Sequence, residues 1–238
     1  MKIDILAIGA HPDDVELSCA GTIAKHISLG KKVVIADLTR GELGTRGTAE
    51  IRDKEAEDAG KILGVSAREN LTFKDGFFSN DEKHQLEIVK LIRKYQPEII
   101  LANAIDDRHP DHGRAAKLVD DACFISGLIK VETQLDGAKQ NAWRPKAVYH
   151  YIQDRYIKPD FLVDISGFMK QKMDSYLAYK SQLYDKNSKE PATYISSQQF
   201  LDSITSRASE FGRIIGVEYA EGFCTHRLAG VKNLFDLI

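Results

Sequence analysis

The sequence has little of what would place it in several large classes. Its 238 residues hold only three cysteines, Cys19, Cys123 and Cys224, an odd number with no Cys-x-x-Cys spacing. That excludes a disulfide scaffold and a cysteine-rich structural zinc site, and it suits reduced thiols in a cytoplasm. An excess of one charge is missing too. With 33 Lys+Arg against 35 Asp+Glu the net charge is −2, which leaves no electrostatic footprint for nucleic acid or an acidic membrane surface. Apolar runs such as Ile99–Ala102 fall far short of the roughly 20 residues that span a bilayer. Met1-Lys2-Ile3-Asp4-Ile5 leads directly into a strand-like run, without the apolar core of a signal peptide. No repeat, low-complexity tract or linker divides the chain. With 43% apolar and 29% charged residues, the expectation is one cytoplasmic domain over 1–238 around a full hydrophobic core.

What is present is an alternation of buried strands and amphipathic helices. Ile3–Ile8 is nearly all apolar, as is Lys32–Leu38 after Gly30, and such runs suit strands covered on both faces of a parallel sheet. Helices are expected at Glu16–Leu29, Ala49–Leu63 and Glu82–Tyr95, and further strands at Glu69–Phe73 and Glu98–Ala102. This order implies βαβ units and an α/β, Rossmann-like parallel sheet over about 1–130. The remainder, about 131–238, is less regular. Strands are expected at Ala147–Ile152 and Phe161–Ile165, helices at Phe168–Leu183 and Tyr194–Val217, and a mobile loop at Asp185–Thr193.

In open α/β sheets ligands bind at the carboxyl ends of the strands. Three expected loops leave that edge, at 9–15, 39–48 and 103–113, and two of them concentrate metal-ligand types. The first holds His11-Pro12-Asp13-Asp14 and the third Asp106-Asp107-Arg108-His109-Pro110-Asp111-His112. Helix capping accounts for an aspartate and a proline in such a turn. It does not account for the histidines. Taken together, the loops point to a site of His/His/carboxylate type with an open position, the pattern of a catalytic zinc. Such an ion acidifies water and polarises a carbonyl, with a neighbouring carboxylate as proton acceptor.

The pair Ala10-His11-Pro12-Asp13-Asp14 and His109-Pro110-Asp111-His112 resembles the PIG-L/LmbE-like family of zinc-dependent N-deacetylases, across nearly the whole chain. Leu38–Gly47 and Tyr219-Ala220-Glu221-Gly222-Phe223 are most similar to its bacillithiol-biosynthesis branch, whose substrate is N-acetylglucosaminyl malate. The resemblance implies His11, Asp14 and His112 as ligands of one zinc ion, a site that iron(II) or another divalent metal also suits. It implies Asp13 as general base and a protonated His109 that stabilises the oxyanion and protonates the leaving amine, with Asp111 as its orienting carboxylate. Relatives often form hexamers, so a homo-oligomer is expected. No tyrosine precedes His109 where some relatives carry one; Asp106-Asp107-Arg108 stands there.

A malate arm needs cations, and Arg52, Arg108 and Arg46 are the candidates, since arginine binds carboxylate in bidentate fashion. The competing reading pairs Arg52 with Glu55 or Glu57 along its helix, and Arg108 with Asp106 or Asp107. His26 and His84 read as solvated, His150 as a core or interface residue, Trp143 as loop packing and Tyr194 as a core or cap residue. Two other functions stay open: deacetylation of another GlcNAc-bearing molecule, such as a chito-oligosaccharide or glycan precursor, and a non-catalytic sugar- or nucleotide-binding domain. Against the latter, Gly9 is followed by Ala10-His11-Pro12 and no G-x-G-x-x-G appears.

Overall fold

The computed structural model describes residues 1–184 and 189–237. Strand β1 (Ile5–Gly9) leads to helix α1 (Asp14–Ser28), then β2 (Val33–Thr39), α2 (Ala49–Leu63), β3 (Ala67–Phe73), α3 (Glu82–Tyr95) and β4 (Ile99–Ala102). Helix α4 (Pro110–Ser126) follows, then a small hairpin of β5 (Gln134–Leu135) and β6 (Ala138–Lys139), strands β7 (Ala147–Tyr151) and β8 (Phe161–Asp164), helices α5 (Met169–Tyr176) and α6 (Gln198–Ile215), and β9 (Ala220–Cys224). One seven-stranded sheet runs in the order β3-β2-β1-β4-β7-β9-β8. The first five strands of that order are parallel, and β9 pairs antiparallel with β7 and β8. The α/β fold with a mostly parallel sheet between helices is therefore present, with two antiparallel pairings added at one side.

Strand β1 shows why this half folds as it does. Leu6 and Ile8 pack with Val34, Ala36 and Ile100 beneath Ile88, Ile92 and Leu118 of α3 and α4. Ile5 and Ala7 pack on the opposite face with Val33, Ile35 and Leu101 against Val15, Ala20 and Ile23 of α1. Alternate residues thus enter two different cores, and each fully buried Leu or Ile contributes roughly 1.5–3 kcal/mol. Helix signals are equally local. Thr48 caps α2 by accepting from the Ile51 N–H, and Gly64 ends it at φ 78°. Asp81 caps α3 through the His84 N–H.

The second half departs from expectation in three places. The helix expected over Phe168–Leu183 stops at Tyr176, and i→i+3 turns carry the chain onward, Tyr179 N–H to the Tyr176 carbonyl and Gln182 N–H to that of Tyr179. Glu55 of α2 draws this segment in, accepting from the Ser181 N–H and hydroxyl at 2.7 Å each. The helix expected from Tyr194 begins at Gln198 with Ser197 as its cap; Thr193 and Ser196 close a local hydroxyl turn before it. Ala220–Cys224 is a fully buried strand. Of the loop expected at Asp185–Thr193, residues 185–188 lie outside the described residues. Among the described residues no helix is long and apolar enough to cross a membrane.

Candidate active site

The parallel strands deliver their carboxyl ends to one edge of the sheet, so residues following β1, β3, β4 and β7 meet there. After β1 the chain makes a strained turn. Asp13 occupies the position before α1 at φ 107°, yet its side chain makes no capping hydrogen bond. The left-handed region costs a non-glycine residue of order 1–3 kcal/mol and such residues cluster at functional sites. Asp14 turns back instead and accepts from the His11 N–H at 2.9 Å.

Two histidines then face Asp14 in the same manner. His112 places Nε2 3.1 Å from Asp14 Oδ1, while its Nδ1 is held by Asp107 at 2.5 Å. His11 places Nδ1 3.6 Å from Asp14 Oδ2, while its Nε2 is held by Asp75 at 3.0 Å, with Asp111 at 3.4 Å. In each ring one nitrogen is tied to a carboxylate and the other is aimed at a shared carboxylate. That is the arrangement in which histidines bind metals, the outer partner setting tautomer and orientation. Asn103 and Gln153 fix Asp14 from behind, their amides donating to Oδ2 at 2.9 Å and Oδ1 at 3.0 Å.

The electrostatics agree with this donor set. Burial disfavours a charged imidazole, yet Asp111, Asp14 and Asp75 hold His11 well above the usual histidine value. The same contest, with Asp14 and Asp107 as partners, pushes His112 up to about 9. Burial would raise Asp14, but His112 and His11 keep it well below the carboxylate range. The carboxylates call for positive charge at these rings, and a divalent cation supplies it as protons do. The residues present therefore fit a metal ion, with His11, Asp14 and His112 as donors. His109 is also in reach: ligand-type atoms of His11, His109 and His112 lie within 4.8 Å of one another.

His109 is the cap residue of α4, and its Nδ1 accepts from the Asp111 N–H at 3.3 Å. This corrects the expectation that the Asp111 carboxylate orients His109. Asp111 orients His109 through its backbone; its carboxylate, fully buried, accepts from the Gly76 N–H at 2.8 Å and from Arg114. Burial, followed by the nearby His11 and His112, lowers the His109 pKa, and an Nδ1 that accepts from the Asp111 N–H leaves Nε2 to carry a ring proton.

Asp13 stands beside this group with its carboxylate 3.2 Å from Arg52. Burial drives its pKa upward, Arg52 opposes, Asp14 adds to the rise, and the group sits at about 7. Arg52 also donates to the Pro12 carbonyl. It passes so close to Gly41 that a Cβ there would lie 2.2 Å from Nη1, at a backbone φ of 63° that already favours glycine.

The three arginines separate. Arg52 and Arg108 line a cavity of about 400 Å³ that also holds His11, Asp13, His109 and His112. Arg46 is not in its wall; it pairs with Glu190 and donates to the Leu183 carbonyl. Neither competing pairing of Arg52 or Arg108 occurs, since Arg108 binds Asp154 at 3.1 Å and lies over the Tyr194 ring at 4.5 Å. Tyr194, expected as a core or cap residue, is an exposed part of the cavity wall. Arg207 of α6 is a further cavity cation, donating to the Asp154 carbonyl at 2.5 Å. Asp75 was missed although Phe73-Lys74-Asp75-Gly76 ends a strand and turns just as the other loops do. Asn103, Gln153 and Arg207 carry no local signal at all.

Comparison with known proteins points to one family. The family model for GlcNAc-PI de-N-acetylase, PIG-L, matches residues 6–123. Diacetylchitobiose deacetylase of Thermococcus kodakarensis is 30% identical over 228 residues, 92% of this chain and 81% of that protein. A conserved protein of Thermus thermophilus with a known crystal structure superposes with a TM-score of 0.86 at 33% identity, covering 96% of this chain and 97% of that one. GalB, the 4-carboxy-2-hydroxymuconate hydratase of Pseudomonas putida, superposes with a TM-score of 0.78 at 21% identity, covering 98% and 100%; at that identity the likeness shows the fold alone. The chain belongs to the PIG-L family of de-N-acetylases.

Proposed function

We propose that this protein is a zinc-dependent N-deacetylase that hydrolyses the acetamide of an N-acetylglucosamine conjugate, with N-acetylglucosaminyl malate as its substrate. One observation carries the reading: two imidazole nitrogens converge on Asp14, each ring tied from behind by a carboxylate, beside an Asp13 that titrates near neutrality. His11, Asp14 and His112 would hold the ion; the same donors accept iron(II). When bound, such an ion supplies a Lewis acid that polarises the amide carbonyl and acidifies water.

The chain's own groups do the rest. Asp13 takes the proton of the attacking water, and a carboxylate near pKa 7 suits a general base at neutral pH. Arg52 holds that carboxylate in place. His109 directs its Nε2–H as a hydrogen bond to the oxyanion that develops on the acetamide, a contribution of about 3–4 kcal/mol for a well-placed donor, and the proton that Asp13 took from the water passes to the departing amine. Arg108 and Arg207, on the wall shared with Asp154 and Tyr194, face a malate arm. Cys19, Cys123 and Cys224 are unpaired and buried, which supports a reducing, cytoplasmic setting. Exposed Leu228, Leu234 and Phe235 offer an apolar surface for self-association into an oligomer.

The test is acetate release from N-acetylglucosaminyl malate, diacetylchitobiose and free N-acetylglucosamine, with zinc-loaded and chelator-treated protein. Zinc-dependent release from the malate conjugate is expected, and loss of the arm should cost most of the rate if its carboxylates are clamped. Release from diacetylchitobiose alone would favour the second reading, which the Thermococcus relative supports. Release from none of them by zinc-loaded protein would overturn the proposal.

A further inference from the structure

We propose that Asp120, His150 and His226 form a second site for a divalent transition metal, separate from the candidate active site, which fastens the chain beyond β9 to α4 and β7. Their ligand-type atoms lie within 4.8 Å of one another. Asp120 Oδ1 is 3.2 Å from His150 Nε2, and Asp120 Oδ2 is 3.0 Å from His226 Nε2. The two rings meet edge to face with centroids 5.3 Å apart.

Proton placement makes the case. His150 is 1% exposed, and its Nδ1 lies 2.8 Å from the Asn103 carbonyl oxygen. A carbonyl only accepts, so the ring proton belongs on Nδ1. The neutral ring then aims the Nε2 lone pair at a carboxylate oxygen, which is itself an acceptor. That contact is repulsive unless a cation lies between the two groups or the buried ring carries a second proton. His226 is exposed and free to present either tautomer. Two imidazoles and a carboxylate are the donors of zinc and its neighbours in the transition series rather than of calcium or magnesium. A backbone carbonyl behind His150 is the outer partner expected of a metal-binding histidine.

The site is set apart from Asp14 and yet joined to it. Asn103 accepts from His150 through its backbone and donates to Asp14 through its side chain, so the two centres share one residue. Their ligands are disjoint, and separate variants can therefore empty each one.

Metal-stripped protein should be titrated with Co²⁺, whose visible spectrum reports His/carboxylate coordination, and with Zn²⁺ followed by elemental analysis. The native chain should bind two equivalents. His226→Ala and Asp120→Asn should each bind one and lose part of the zinc-induced rise in thermal midpoint, while His226→Ala keeps its hydrolytic activity. His112→Ala should also bind one, held through His226. His226 is exposed, so its replacement leaves the core intact and circular dichroism should be unchanged. A single equivalent in the native chain that survives His226→Ala and vanishes in His112→Ala would overturn the second site and make His150 a buried imidazolium paired with Asp120. A single equivalent that vanishes in His226→Ala instead would uphold this site and remove the metal from the active-site reading.

Discussion

Two turns of the molecule carry nearly the same four residues and use them differently. His11-Pro12-Asp13-Asp14 follows β1, and His109-Pro110-Asp111-His112 follows β4. In the second, the helix starts at the proline and the histidine is its cap, accepting from the Asp111 N–H. In the first, the helix starts three residues after the histidine, and Asp13 stands at the cap position in the left-handed region without capping. The later start leaves the Asp13 carboxylate free of the helix and places Asp14 among the histidines. The second turn spends its histidine on the helix end, which leaves only Nε2 for chemistry. A shared motif therefore does not mean a shared geometry; the register of the helix start separates an Asp13 that does not cap its helix from a His109 that does.

This contrast can be broken at defined points. His112→Ala removes a donor facing Asp14, so metal at that site and hydrolysis should both be lost; a variant that keeps both equivalents would place the ligand elsewhere. Asp13→Gly should leave the metal in place while kcat falls by about 10²–10⁴-fold, and it should also relieve the positive φ. The thermal midpoint should therefore rise by the equivalent of about 1 kcal/mol. A drop would mean that the Arg52–Asp13 pair outweighs the strain.

The pH dependence sharpens that test. With its pKa raised to about 7, Asp13 in metal-free protein holds a proton that the unfolded chain gives up near the ordinary carboxylate value. Its share of stability is whole below that value and is lost as pH rises through about 7. The gain from Asp13→Gly should accordingly be larger at about pH 8 than at about pH 4.

Smaller effects test the groups behind the rings. Asp107→Asn and Asp75→Asn should each weaken metal affinity by about 10–100-fold, read by competition with a chromogenic chelator. Equal losses would confirm that the two turns hold their histidines by one device. Asp81→Ala, which removes the cap of α3 and lies outside the cavity wall, should cost about 1 kcal/mol and leave kcat/KM unchanged.

Much of the parallel half was legible because its signals are local. Buried strands read as apolar runs, and α2 and α3 carry their own caps and stops at Thr48, Gly64 and Asp81. The second half was less so. Nothing near Leu177–Gln182 announces a helix end; Glu55, 126 residues away from Ser181, decides it. Strand β9 is only five residues long and holds glycine and a buried glutamate, and the sheet completes it by pairing on both sides. Glu221 lies buried there because Lys172 and the N–H groups of Gly21 and Thr22 bind it.

By itself the sequence determined that the chain is an α/β fold with two ligand-rich turns at strand ends, because period, caps and residue chemistry act over a few positions. Only the tertiary structure decided which nitrogen of each histidine faces Asp14, that Asp75, Asn103 and Gln153 stand behind the site, and that Arg207 rather than Arg46 borders the cavity. Those choices depend on which strands lie side by side and on directed hydrogen bonds across 50 to 139 positions of chain, distances over which local pattern carries no information.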